Sequence, residues 1–324
     1  MWQTNMKNND HTLDLNEALC PLDNGRHDLS PKHGLGALDK LPLELLNMVL
    51  IQLDIRSLTD LRRVNQQAMQ LIDSIPQYRA IIQHANPCLR GILSINTGRW
   101  ITCLDLFSAL RTANCDVCGD FGGYLYLVTC RRVCFLCLSE DPAYLPLRRE
   151  AAVRKFALSR EHLSSIPSLK AVPGIYSPRE IKIRSRLVLF DHESARQAGM
   201  AVHGSADKMK QRAAEMAHEK QRQFEHRQAQ KKSEPGRAAP RRPRSEDEFD
   251  GYESNPKRFA AVVRAPVLDP RTGNPEWGFH CIACKEHCYR RPLHWRRKFT
   301  EESFKLHIAE CGDIKDGKHI QEVN

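Results

Sequence analysis

Apolar residues recur at helical spacing over the first third of the chain and then fade. Between His203 and Ala261 there is no Leu, Ile or Val. The clearest run opens at Leu41-Pro42. Pro42 suits the first turn of a helix, where a missing N–H leaves nothing unpaired. Leu45, Leu46, Val49, Leu50 and Leu53 follow at helical period. Asp54 breaks the run. Ser57 is placed to cap a second helix, with Asp60 three residues on, and Ile55, Leu58, Leu61 and Val64 form its stripe. A third helix carries Ala68, Leu71, Ile72 and Ile75, and Pro76 ends it. Three short helices bury little surface by themselves, so part of this apolar surface must meet a partner or the rest of the chain.

Further along, Trp100 to Leu110 reads as a helix with Leu104, Phe107 and Leu110 on one face, and Glu150 to Leu158 as another. Ser177, Pro178 and Glu180 read as a helix start. Arg184 to Phe190 fits either a helix or a strand. Ala206 to Lys232 predicts a solvated helix, and Ser233 to Lys257 a disordered linker too poor in apolar residues to build a core. Val262, Val263, Val267 and Leu268 predict short strands before a turn at Asp269–Gly273.

The cysteines supply the chemistry. Cys115 and Cys118 form one CxxC, and Cys134 and Cys137 another, fifteen residues later. Each such turn points two sulfurs at one ion, and two turns complete a zinc tetrahedron. With Tyr124 to Thr129 as a strand between them, the arrangement looks like a zinc ribbon. Cys130 is a spare thiol there. A third CxxC, Cys281 and Cys284, precedes a helix that Thr300 caps. On that helix His307 and Cys311 lie four residues apart and on one face. These four predict a second structural zinc site, with His280, His287, Cys288 and His294 as substitutes. The expected cofactor is therefore zinc, about two ions per chain. The linker between the two clusters predicts that they are independent.

The predicted fold class is mainly α with small zinc-stabilised β and loop modules and long disordered segments. The divisions expected are a disordered lead over 1–36, a three-helix unit over 37–86, a helix plus the ribbon-like cluster over 87–144, a helical segment over 145–203, the charged helix and linker over 204–259, and a zinc finger region over 260–324. No run approaches 18 apolar residues, and the first residues are polar. Twelve cysteines without a secretion signal point to a reducing compartment, the cytoplasm or the nucleus. No G-x-S-x-G, P-loop or H-E-x-x-H motif is present, so no catalysis is expected. A formal net charge of +10 keeps an acidic partner open, and Arg237, Arg241, Arg242 and Arg244 form a basic patch in the linker.

Leu41, Pro42, Glu44, Leu45, Val49, Leu53, Leu58, Arg63, Val64 and the Leu71-Ile72 pair resemble the F-box; Ala68 stands where that family usually has an aromatic residue. The resemblance implies three helices that dock on the Skp-type adaptor of a cullin–RING ubiquitin ligase, with Leu41, Pro42, Leu45, Val49, Leu53, Leu58 and Val64 at the contact. The order of F-box, Cys cluster, Pro173-Gly174-x-Tyr176 step, basic linker and Cys/His finger resembles a group of fungal F-box proteins. It implies a non-catalytic receptor that brings a protein target to the ligase. A RING module would need about eight ligands around two ions, more than the first cluster holds. A different class of function, a zinc-dependent nucleic-acid- or chromatin-binding protein, draws on Arg290, Arg291, Arg296, Arg297 and Lys298.

Overall fold

The structure, a computed structural model, describes residues 3–4, 10–15, 30–233, 241–243, 254–285 and 293–320. About half of it is helical. Six helices come first: α1 Leu43–Leu50, α2 Ile55–Arg62, α3 Gln66–Ser74, α4 Pro76–His84, α5 Asn86–Ser94 and α6 Cys103–Leu110. The caps explain their limits. Asp54, not Ser57, caps α2, and its carboxylate accepts the Ser57 N–H at 3.0 Å. Asn65 caps α3 through the Ala68 N–H at 2.8 Å. Pro76 does not merely end α3; it occupies the first turn of α4. Thr102 and Asp105 cap α6 reciprocally. Leu50, Ile55, Leu58, Ile72, Ile81, Leu89 and Leu106 meet in one buried core. That core, not a partner, takes most of the apolar surface of the opening helices.

A three-stranded antiparallel sheet completes this core. Tyr124–Tyr126 is its central strand, with Arg131–Val133 on one side and Val262–Arg264 on the other. The residues just after the linker, expected to begin the C-terminal finger, are thus built into the centre of the molecule. Arg132 holds the junction. It is buried, and its guanidinium donates to the carbonyls of Ala109 at 3.1 Å, Gly122 at 2.9 Å and Ala265 at 2.7 Å, and to that of Pro266. Gly91 in α5 lets the sheet approach: a Cβ there would lie 2.7 Å from Leu127, 3.1 Å from Val263 and 3.3 Å from Leu13. Leu13 is fully buried, and Asp14 pairs with Arg264 at 2.7 Å. The polar lead predicted over 1–36 therefore contains a short anchored segment at 10–15.

Helix α7, Phe135–Glu140, follows the hairpin. A second core joins α8, Arg149–Phe156, to α9, His192–His203, around Leu147, Leu163, Ile166 and Phe190. Its sheet places Val188–Phe190 between Leu147–Arg148 and Ser168–Lys170. The stretch that fitted helix or strand is therefore a strand. Gly174–Tyr176 and Ile181–Ile183 form a hairpin where a helix start was expected. Ser177 and Glu180 both have left-handed backbone, with φ of 71° and 54°, which a helix excludes. Helix α10, Ala206–Ser233, meets this core through Met209, and most of its later residues are exposed, as its composition predicts. Helix α11, Pro256–Phe259, precedes the third strand of the central sheet.

The C-terminal module pairs Phe279–Cys281 with Lys298–Phe299, continues into α12, Glu301–Cys311, and closes with the hairpin Asp313–Lys315 and Lys318–Ile320. It is not isolated by the linker. Arg297 reaches Asp120 at 2.7 Å. Arg296 pairs with buried Asp10 and stacks over the Phe135 ring at 3.6 Å. Gly278 has φ +60°, and a Cβ on it would lie 2.7 Å from the Phe121 ring. The two cysteine modules are thus in contact.

Candidate metal centres and adaptor face

In the first module, Cys115 and Cys118 sit on a turn that the Gly119 N–H closes onto the Cys115 carbonyl at 3.0 Å. Cys134 caps α7, and its sulfur accepts the Cys137 N–H at 3.4 Å. A helix start favours negative charge on sulfur, as thiolate ligation requires. The four sulfurs lie within 4.8 Å of one another, and those of Cys118 and Cys134 are 3.6 Å apart. Zinc–thiolate bonds of about 2.3 Å at tetrahedral angles put sulfurs about 3.8 Å apart, so the set fits zinc. Hydrogen bonding from Cys134 lowers the Cys115 thiol to about 5, and burial raises that of Cys137 to about 12. Binding an ion as thiolates must release the protons these thiols still hold. Cys130 lies outside the group, on a left-handed residue with φ 56°.

In the second module the atoms that converge belong to Cys281, Cys284, His307 and His319. His319 Nε2 lies 3.3 Å from the Cys281 sulfur and 3.5 Å from that of Cys284; His307 Nε2 lies 3.4 Å from Cys284. A zinc ion with two thiolates and two imidazoles gives sulfur–nitrogen edges of about 3.5 Å. The module is thus a Cys/Cys/His/His set, not the Cys/Cys/His/Cys finger expected. Cys311 does share a face of α12 with His307, but its sulfur meets Nδ1 of that ring, at 3.6 Å, and not the nitrogen that faces the cysteines. The signal for His319 was in the sequence. Asp316-Gly317 is a strong two-residue hairpin turn, and it folds the strand carrying His319 back over the helix end. His319 Nδ1 is 2.8 Å from the Gly312 carbonyl, which fixes that nitrogen as the donor and turns Nε2 to the Cys281 and Cys284 sulfurs.

Hydrogen bonding from Cys284 lowers the Cys281 thiol to about 3, while the Cys284 thiol is raised. Burial lowers His280 to about 4; its Nδ1 is 3.0 Å from the Arg297 carbonyl, and it lies outside the cluster. His294 also lies outside it. His287 and Cys288 fall outside the described residues. The first centre brings a turn together with the start of α7, and the second brings a turn together with α12 and the closing hairpin.

The basic residues singled out for nucleic acid are mostly engaged. Arg296 and Arg297 hold carboxylates, and Lys298 donates to the Trp277 carbonyl at 2.9 Å. Arg290 and Arg291 lie outside the described residues; of the separate basic patch in the linker, Arg241 and Arg242 are described and exposed, and Arg237 and Arg244 lie outside.

The opening helices divide by exposure. Leu41, Pro42, Leu45 and Val49 are exposed on α1 and its entry; Met48, on the same face as Leu45 and Val49, and Leu43 are exposed too, and the pattern alone did not select them. Val64 is 68% exposed at the end of α2. Leu58 is fully buried and Leu53 packs on the core, so these two hold the helices in place and are not free for an adaptor. Among the described residues no helix is long and apolar enough to cross a membrane. Comparison with curated proteins gives no match, and comparison with solved structures gives none. The family model for the F-box domain matches residues 38–80; the stretch from the entry of α1 into α4 is an F-box domain.

Proposed function

We propose that this chain is a substrate-receptor subunit of a Skp–cullin–RING ubiquitin ligase, non-catalytic, acting in the cytoplasm or nucleus, with two structural zinc ions. The observation that carries the reading is the split of the F-box. Its inner side, with Leu46, Leu50, Ile55 and Leu58, is buried in the chain's own core, while Leu45, Met48 and Val49 share an exposed face of α1, and Leu41 and Leu43 are exposed at its start. Patches of that kind mark interaction sites. F-box domains generally bind a Skp-type adaptor, which links them to a cullin–RING ligase. The core behind the F-box then holds the target-binding part rigidly. The nucleic-acid reading loses support because Arg296, Arg297 and Lys298 are engaged internally. Co-expression with a Skp-type adaptor tests the proposal: a complex that survives size-exclusion chromatography is expected. A folded, zinc-loaded chain that binds DNA in a salt-sensitive way and captures no adaptor overturns it.

A further inference from the structure

A receptor needs a second surface, for its target. A cleft of about 570 Å³ lies where α4, α6 and the turn Asp269–Asn274 meet. That volume is within the range of ligand pockets, about 300–1,000 Å³. Its charges do not cancel. The Arg79 guanidinium donates to a backbone carbonyl, that of Asp73, at 3.4 Å, while the Asp73 carboxylate is taken by Arg62 at 2.8 Å. Arg111 lies over the Phe107 ring at 5.6 Å and holds no carboxylate. The acid in the wall, Asp269, accepts the N–H groups of Arg271 and Thr272 at 2.7 and 2.9 Å. Two guanidiniums thus face one cleft whose lining carboxylate, that of Asp269, is turned to backbone N–H groups. Phe107 gives it an apolar wall, and the exposed Gln83 can bond a peptide backbone.

Resting on the receptor reading above, we infer that this cleft receives an extended acidic segment of the target protein. Arg79 and Arg111 take its anionic side chain, a carboxylate or a phosphate, and an apolar neighbour sits against Phe107. Guanidinium–oxyanion pairs are the strong, geometry-selective hydrogen bonds. A nucleic acid is the poorer occupant. Its binding draws on many phosphates along a basic track, and Asp269 and Asp73 line this cleft and the concavity next to it.

The test uses the full-length chain and fluorescein-labelled ten-residue peptides of one sequence, carrying three Glu, three phosphoserines or three Gln around a Leu. Fluorescence anisotropy is expected to show at least one anionic peptide binding about tenfold more tightly than the Gln peptide, and the stronger of the two identifies the anion. The double variant Arg79→Glu, Arg111→Glu is expected to lose that preference while keeping its melting temperature and its adaptor capture. Leu45→Asp should do the reverse, losing the adaptor and keeping the peptide, which separates failure of this inference from failure of the receptor reading. Arg79→Ala, a milder change, covers misfolding of the double variant and should weaken binding by several fold. Equal binding of all three peptides, no binding by any of them, anionic binding untouched in folded variants, or tighter binding of a labelled oligonucleotide overturns the inference.

Discussion

The Cys311 sulfur lies 3.6 Å from Nδ1 of His307, while Nε2 of the same ring faces the Cys284 sulfur at 3.4 Å. One imidazole cannot offer both edges to one ion. With Nε2 on a metal, Nδ1 would carry the proton and the Cys311 sulfur would accept it, so His319 is the expected fourth ligand of the set. Purified wild-type chain is expected to carry about two zinc ions. His319→Ala should carry one. Cys311→Ala should keep both and hold the second about tenfold more weakly, the usual cost of losing an orienting partner. Elemental analysis with chelator competition measures each, and cobalt substitution should give equal thiolate-to-cobalt absorbance in wild type and Cys311→Ala.

Leu45 and Leu58 belong to the same domain and should fail differently. Leu45→Asp places charge on an exposed patch; adaptor capture should fall by about tenfold or more, a loss of about 1.4 kcal/mol, with little change in melting temperature. Leu58→Ala opens a cavity in the core and should cost about 2–5 kcal/mol of stability. Calorimetry and an adaptor pulldown, run on both variants, check the contrast.

Arg132 supplies donors to five carbonyls inside the core, those of Ala109, Leu110, Gly122, Ala265 and Pro266. Arg132→Met leaves those acceptors unpaired, and each buried polar group so stranded costs about 1–3 kcal/mol. The variant is expected to unfold globally or to melt far below wild type. Arg132→Lys should not rescue it, because an ammonium lacks the planar five-donor fork. Thermal unfolding followed by circular dichroism decides this.

Asp120 beside Arg297, and Phe121 beneath Gly278, join the two cysteine modules. The linker led to an expectation of independent centres; these contacts lead instead to an expectation of coupling. Cys118→Ser should release the first ion and also loosen α12, read as faster hydrogen exchange over Glu301–Cys311. Gly278→Ala, strained by its positive φ and by contact with Phe121, should weaken that coupling while both ions remain.

Much of this was legible in the sequence because it is local. Helical period placed α1 to α3, α6 and α8, and CxxC spacing placed three pairs of sulfurs. What escaped is non-local or conformational. Val262 and Val263 announce a strand but not its neighbour, and only the fold shows Val263 opposite Leu125. Leu13 is a single apolar residue in a polar stretch, too little for any period. Ser177 and Glu180 match a capping pattern, yet their left-handed backbone has no mark in residue type. His319 was missed because i, i+4 spacing made Cys311 sufficient, although Asp316-Gly317 pointed to a hairpin that would bring another ligand home.

The Arg132 guanidinium bonds the Ala265 carbonyl across 133 residues of sequence. During synthesis the F-box helices leave the ribosome long before the strand that closes their core. At about 5–20 residues per second the wait from residue 80 to Val262 is roughly 9 to 36 seconds. Over that interval Gly91 and its neighbours face water where Leu127 and Val263 will later sit. The nascent chain is therefore a client for chaperones in a way the finished molecule is not. A truncation that stops before Val262 leaves the F-box attached to a core that never closes.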